Sequence, residues 1–437
     1  MVKSIGWLRM AMALAVLCVA MPAQETVEGR LLKILKEKGV IDSAEYKDLR
    51  DLEAQLRRDD NVAALIDTRI EEMISSVQEA GPSTSYQVGK GFTWQTADNR
   101  FKLSVGGRLQ VRFTNDFYED DENEPDFDVP RARVWLTGNA FESYLKYKFE
   151  FDIAGDEADT TLPNGSTRSS NNRLAELKDA YFDFAKWSAF SVRGGQFKVP
   201  YSRHQLTSSG RQEFVDRGIT DGVFAPGRDV GVMVHGKAGG ESSDLFEYYF
   251  GAFDGEGENR TNNDHGLMYA GRLAVNPLGG VAYTESDTAH SDNFRLALAV
   301  NGWVHQDDNH AGAGDDWSIG ADIAVFYQSF FAMFELHYRE NDVNGGDDVE
   351  MDGWIAQLGY FIVPHEFEVA LRAASIDWDN NGNNDSGRRE YLVVFGYFWH
   401  SHNMKMQLDF GRVEDHEGNQ NDNVDEWRLR VQFQVIF

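Results

Sequence analysis

The chain has a single cysteine, Cys18, in 437 residues, so no intramolecular disulfide framework holds it together. Proline is scarce at 9 residues, beside 41 glycines and 13% aromatics, a balance suited to many strands and turns. Basic charge is in deficit: 42 Lys and Arg face 71 Asp and Glu, a net charge of −29. A chain without an obvious basic face does not hold phosphodiesters, which excludes a nucleic-acid partner. No apolar run is comfortably long enough for a spanning helix. A mean hydropathy of −0.48 would ordinarily mark a water-soluble protein. A membrane β-barrel escapes that inference, because its strands show lipid only every second residue and its outer loops are polar.

Catalytic signatures are missing as well. There is no HExxH, no nucleophile elbow and no phosphate-binding glycine loop. Asp377, Asp379, Asn381 and Gly382 imitate the start of a calcium-binding EF-hand loop, but Arg388 stands where the bidentate Glu belongs and no helices flank it. The reading is of a protein that is not an enzyme and that needs no cofactor and no metal.

What is present begins with export grammar. Lys3 and Arg9 precede the short apolar run MAMALAVLCVAMPA, with small residues at Ala20 and Ala23, which predicts a signal peptide over residues 1–23. Residues 25–80 read as helix. Leu49, Leu52, Leu56, Ala63, Ile66, Ile70, Met73 and Val77 fall on a and d positions, with Asp59 the lone violator. The pattern predicts a self-associating coiled coil in the periplasm; a single amphipathic helix packed on its own domain is the alternative. GPSTS from Gly81 predicts a linker over residues 81–99.

From residue 100 to residue 437 the hydrophobic period switches to two. FKLSVGGRLQVRF sets Phe101, Leu103, Val105, Leu109, Val111 and Phe113 against Lys102, Ser104, Arg108, Gln110 and Arg112. The alternation returns in YLKYKFEFDI, RDVGVMVHG, FRLALAVNGW, FFAMFELHYRE and WRLRVQFQVIF. Counting the less regular segments gives about sixteen strands, and the joins between them run long, short, long, short. That is the pattern of an all-β transmembrane antiparallel barrel, with tight turns on one rim and extended acidic loops on the other. The stretch from Pro277 to Asp292 is long for a turn. A soluble sandwich also alternates, but strand length and aromatic strand ends favour a bacterial outer membrane. Leu429, Val431, Phe433, Val435 and Phe437 alternate to the last residue, so Phe437 is the expected assembly signal for the barrel insertion machinery.

With the apolar face toward lipid, the polar face lines the lumen. That register predicts an anion pathway of Arg108, Arg112, Arg131, Arg133, Lys146, Lys148 and Arg193 from the first strands. Arg272, Arg295, Arg339, Arg372, Arg428 and Arg430 extend it through the later ones. Lumen charges that pair with one another are the alternative. The segment from Tyr201 to Arg228 suits an inward constriction loop in which Arg203, Arg211 and Arg217 with Ser208 and Ser209 could hold an oxyanion; an external lid is the alternative.

Taken in order, LLKILKEKGVIDSAEYKDL, PRARVWLTG, LKDAYFDF, GGQFKVPYS leading to LTSS, YAGRLAVNPLG and the terminal Phe make the chain resemble the phosphate-selective porins of the O and P type. The resemblance implies a trimeric sixteen-stranded channel for small anions, phosphate or polyphosphate among them. The family's paired-arginine motif falls on Pro130 and Arg131, so one arginine is absent. Its constriction serines fall on Ser208 and Ser209, and the basic residue before them falls on the neutral Gln205. Two other functions stay open: a general, weakly selective porin, and a structural or adhesive outer-membrane protein.

Overall fold

The computed structural model describes residue 36, residues 41–56 and residues 81–437, the last apart from 119–122, 155–159, 162–166, 169–174, 240–243, 263–265, 307–315, 342–348, 381–385 and 417–423. The expected signal peptide lies outside the described residues, as does most of the expected coiled coil. Within the latter a single helix, Ser43–Leu56, is described. Its start has a chemical reason. Asp42 Oδ1 accepts from Ala44 N at 2.7 Å and Glu45 N at 2.9 Å, while Glu45 Oε2 accepts from Asp42 N at 2.8 Å, a reciprocal cap on donors that the first turn leaves unpaired. Chain contacts divide the molecule into Met1–Gly81 and Pro82–Phe437, and the rest of the description concerns the second unit.

The stretch expected as a linker is instead a hairpin, β1 (Ser83–Gln87) with β2 (Gly91–Gln95). The barrel follows with β3 (Lys102–Tyr118), β4 (Glu124–Asn139) and β5 (Leu145–Asp152). A two-residue ribbon, β6 (Thr160–Thr161) with β7 (Thr167–Arg168), sits in the next connection. Then come β8 (Glu176–Trp187), β9 (Phe190–Lys198), β10 (Arg228–Ala238), β11 (Phe246–Phe253) and β12 (Met268–Val275). β13 (Arg295–His305), β14 (Asp316–Tyr327), β15 (Phe330–Asn341) and β16 (Val349–Val363) continue the wall. β17 (Phe367–Asn380), β18 (Ser386–Phe398), β19 (Met404–His416) and β20 (Val424–Ile436) complete it.

Sixteen antiparallel strands, β3 to β5 and β8 to β20, close when β20 pairs with β3, Val431 opposite Phe113. At the seam Gly107 N donates to Phe437 O at 2.8 Å and Phe437 N to Gly107 O at 2.9 Å. Beyond the end of β20 the hairpin takes over, with β2 pairing to β3 at Phe92 and Val105, so the sheet counts eighteen strands. Alternation follows the sequence closely: Leu371 is 54% exposed on the outer face, while Ala370 and Arg372 beside it are 1% and 2% exposed. Closure leaves no unpaired sheet edge at membrane depth, which is why a barrel can stand in hydrocarbon. Near the short-turn rim the outward rings of Tyr397, Trp399 and Phe433 lie against one another, as an interfacial aromatic girdle requires.

The inner face is not uniformly polar, and here the two-period reading is corrected. Among the described residues, three apolar clusters sit inside the barrel. One gathers Phe197, Met233, Phe253, Met268 and Trp303 around Phe224. A second sets Val281 on Ala324, Phe326, Phe331 and Met333, and a third sets Phe214 on Ala370, Leu392 and Val394. Inward apolar residues are tolerated because chain folded into the lumen covers them, so they gain burial instead of facing water.

Candidate functional site

Among the described residues, two connections fill part of the lumen. The first runs from the end of β9 to the start of β10 and holds three short turns: Arg203–Leu206, Ser209–Arg211 and Ile219–Phe224. Irregular backbone taken away from water must find partners, and the barrel wall supplies them. Arg272 Nη1 donates to Tyr201 O at 2.9 Å and Trp303 Nε1 to Phe224 O at 3.0 Å. Gln407 Nε2 donates to Glu213 O at 2.7 Å, Gln434 Nε2 to Gly210 O at 2.9 Å and Arg372 Nη1 to Asp216 O at 2.9 Å. Long donor side chains on inward positions thus seat the loop.

The second is the unexpectedly long join between β12 and β13, which folds inward from the short-turn rim. Glu285, Ser286 and Asp287 on it are all buried. Glu285 Oε1 lies 2.9 Å from His204 Nδ1, and Glu285 Oε2 accepts from Glu213 N at 2.8 Å. Ser286 Oγ donates to Glu368 at 2.8 Å. Asp287 holds the two-residue turn between β14 and β15, accepting from Ser329 N at 2.9 Å. Ser329 and its neighbour Gln328 both have positive φ, 74° and 44°, a conformation that non-glycine residues need such support to keep. This join therefore braces both the constriction loop and the rim.

Charge on the loop follows from these contacts. Burial works against the Asp216 carboxylate, but the guanidinium groups of Arg131, Arg112 and Arg430 outweigh it and hold Asp216 well below the usual range. Glu285 is likewise held at about 2, its burial outweighed chiefly by His204. Glu213 goes the other way: burial, then the neighbouring Glu368 and Glu285, push it well above its ordinary value.

Beside the loop the lumen keeps a cavity of about 260 Å³. Of the expected pathway residues it is lined by Arg131, Arg133, Lys148 and Arg193, joined from the loop by Ser208, Ser209 and Arg217. Lys198 and Arg228 complete a set of seven cations, against which stand two lining carboxylates, Glu150 and Asp179. Lys198 ends β9 and Arg228 begins β10, where the chain turns into the loop and strict alternation stops. Sequence parity gave no sign of Lys198; its position immediately before the VPYS turn was the available signal.

Most strand cations at the cavity are ion-paired. Arg133 meets Glu150 at 3.0 Å and Asp152 at 2.6 Å, Lys148 meets Asp179 at 2.6 Å, and Arg193 meets Asp183 at 2.6 Å. Three other cations bind loop oxygens instead. Arg108 donates to Ser208 at 3.5 Å and Ser209 at 3.0 Å. Lys198 donates to the carbonyls of Gln205, Leu206 and Thr207. Arg217 donates to Thr207 O at 2.7 Å, with Asp221 more distant at 3.5 Å.

The remaining expected residues are not brought to the cavity. Arg272 is bound to Asp322, Arg339 to Asp316, Arg428 to Asp116 and Arg430 to Asp409. Arg112 reaches Asp216 at 3.0 Å. Arg372 is tied down by Gln357 at 3.2 Å as well as by the loop. Arg203 donates to Ala282 O and lies over the Tyr283 ring. Lys146 and Arg211 are exposed, and Arg295, also exposed, donates to Gly280 O at 3.0 Å. The pathway list is therefore split between four strand cations at the passage and a majority that anchors the wall and its filling.

A closed sixteen-stranded barrel with an inward loop and a residual charged passage defines an outer-membrane porin-type channel, which exchanges small solutes across a lipid bilayer. The description "Phosphate-selective porin O and P" matches residues 101–437, and the chain belongs to that family of transport channels rather than to any enzyme class. An uncharacterized protein of Aquifex aeolicus (strain VF5) is 24% identical over 402 residues, covering 84% of this chain and 95% of its own length. The same fold occurs in the anion-selective porin from Comamonas acidovorans, with TM-score 0.53, 13% identity, and coverage of 77% of this chain and 99% of that one. It occurs too in the outer-membrane OmpT of Vibrio cholerae, with TM-score 0.53, 11% identity, and coverage of 77% and 98%.

Proposed function

We propose that the protein is a diffusion porin of weak selectivity whose narrowest passage is the cavity beside the loop and whose bias is toward small anions. The observation that carries this is the lining: seven cations against two carboxylates. In a confined space with low-dielectric walls such an excess raises the local concentration of anions. The pairing of Arg272, Arg339, Arg428 and Arg430 with carboxylates argues for weak preference over a dedicated oxyanion ladder. A site specific for phosphate or polyphosphate is the family's finer implication. It would draw on Ser208, Ser209 and Arg217 of the lining, with Arg108 behind the two serines.

Reversal potential in a salt gradient, measured on purified protein in a planar bilayer, tests the reading. Anion preference in KCl, with phosphate passing no better than chloride, is the expected result. Cation preference would overturn it.

Signal cleavage over residues 1–23, a periplasmic coiled coil over 25–80 that supports a homotrimer, and recognition of Phe437 by the insertion machinery complete the proposal. A monomer mass by light scattering in detergent would remove the trimer.

A further inference from the structure

The passage has a mixed lining. Arg131, Arg133 and Lys148 contribute to it together with the loop's Arg217, and so do Tyr181, Pro200, Leu206 and Tyr249. Phe197 and Met233, 1% and 3% exposed, line it too, and they belong to the apolar cluster inside the barrel against which Tyr181 and Tyr249 pack. The Arg193 guanidinium lies 4.3 Å from the centroid of the Tyr181 ring and 5.5 Å from that of Phe197, so cation and aromatic surface adjoin directly.

An inorganic oxyanion has no use for half of such a lining. It is hydrated on every side, and an apolar wall removes water without returning hydrogen bonds. An organic anion with a flat apolar body uses both kinds of lining: its carboxylate meets the guanidinium and ammonium groups while its ring covers tyrosine and leucine surface. A cavity of about 260 Å³ has room for one such ring.

Resting on the reading of this cavity as an anion pathway, we propose that the passage favours small aromatic carboxylates over both aliphatic carboxylates and inorganic oxyanions. Benzoate serves as the probe and acetate as its control, because the two share the carboxylate and differ in the apolar body.

The experiment uses the full chain in planar bilayers in KCl, with benzoate, acetate or phosphate added to one side. Benzoate is expected to reduce the chloride current at a concentration about tenfold lower than acetate or phosphate, in line with the extra apolar surface it covers. Tyr181→Phe is expected to keep that ratio and Tyr181→Ser to bring it toward one. Anion preference in KCl together with equal block by benzoate and acetate would overturn this inference and leave the channel reading standing. Cation preference in KCl would overturn both. The ratio in the unsubstituted protein decides the matter even where a variant fails to assemble.

Discussion

His204 and Glu285, two buried residues from opposite connections of the barrel, meet with Nδ1 and Oε1 2.9 Å apart. The other imidazole nitrogen, Nε2, accepts the Gly218 N–H at 2.9 Å. With one ring nitrogen turned to each partner, His204 bolts the first turn of the loop to its later half and to the inward join. The His204 amide adds a third tie, donating to Glu335 at 2.7 Å.

Replacing His204 by alanine is expected to loosen the constriction loop. The substitution leaves a buried carboxylate and a buried N–H without their partner, at a cost of about 2 kcal/mol. Single-channel recordings of His204→Ala are expected to show larger and noisier conductance. Traces indistinguishable from those of the unsubstituted protein would show that the bolt is redundant.

Glu213 gives the loop a pH dependence of known sign. Its pKa in the folded barrel lies well above the ordinary 4.5, so the folded state holds the proton more tightly than the unfolded chain does. The associated stability is complete below that ordinary value and is lost as pH rises through the raised one. Glu285, held at about 2, stays ionised throughout this window and does not offset the loss. Current noise is expected to grow on the alkaline side and to do so less in Glu213→Gln. A pH-independent noise level would contradict the assignment.

Lumen arginines are expected to divide into two phenotypes. Arg430→Gln leaves Asp409, 0% exposed, without its bidentate partner at 2.9 and 2.8 Å. Breaking a buried pair on one side costs about 3–5 kcal/mol, so reduced barrel yield is the expected readout. Arg108→Gln with Lys198→Gln removes two cations that make no ion pair among the described residues, and the expected readout is a shift of reversal potential away from anions. The reverse assignment of phenotypes would show that Arg430, and not Arg108 with Lys198, faces the permeating ions.

The sequence made the wall legible and the filling mostly not. Strand parity set Leu371 outside and Arg372 inside because one face of each strand meets lipid and the other does not, which writes a period of two directly into the residues. The same parity could not say that Phe197 and Phe253 would be buried inside, since that depends on Phe224 arriving from a loop. Nor could it tell Arg131, at the passage and held by Asp216 of the loop, from Arg430, bound to Asp409 on the neighbouring strand: the partners of a lumen charge come from other elements that meet it only on closure. The join from Pro277 to Asp292 stood out by length alone, and its role rests on tertiary partners that local spacing does not encode.

Phe437 is expected to matter for barrel assembly. Its backbone exchanges two hydrogen bonds with Gly107, and its ring sits where a Cβ on Gly107 would come within 2.7 Å, so ring and glycine fit each other at the seam. Phe437→Ala is expected to lower the amount of protein recovered as folded barrel from outer membranes while leaving single-channel conductance unchanged. Normal recovery would assign the residue to the strand end alone.

The apolar clusters inside the lumen also bear on how the molecule comes apart. Phe224 and Phe214 of the loop are each packed on residues from several strands, and the loop carbonyls are held by side chains of those same strands. Loop and wall therefore form one cooperative unit, and an opening that frees the loop exposes apolar surface on both. Amides of the buried stretch Gln212–Val215 are accordingly expected to exchange their hydrogens with solvent on the timescale of the barrel strands, not on that of a surface loop.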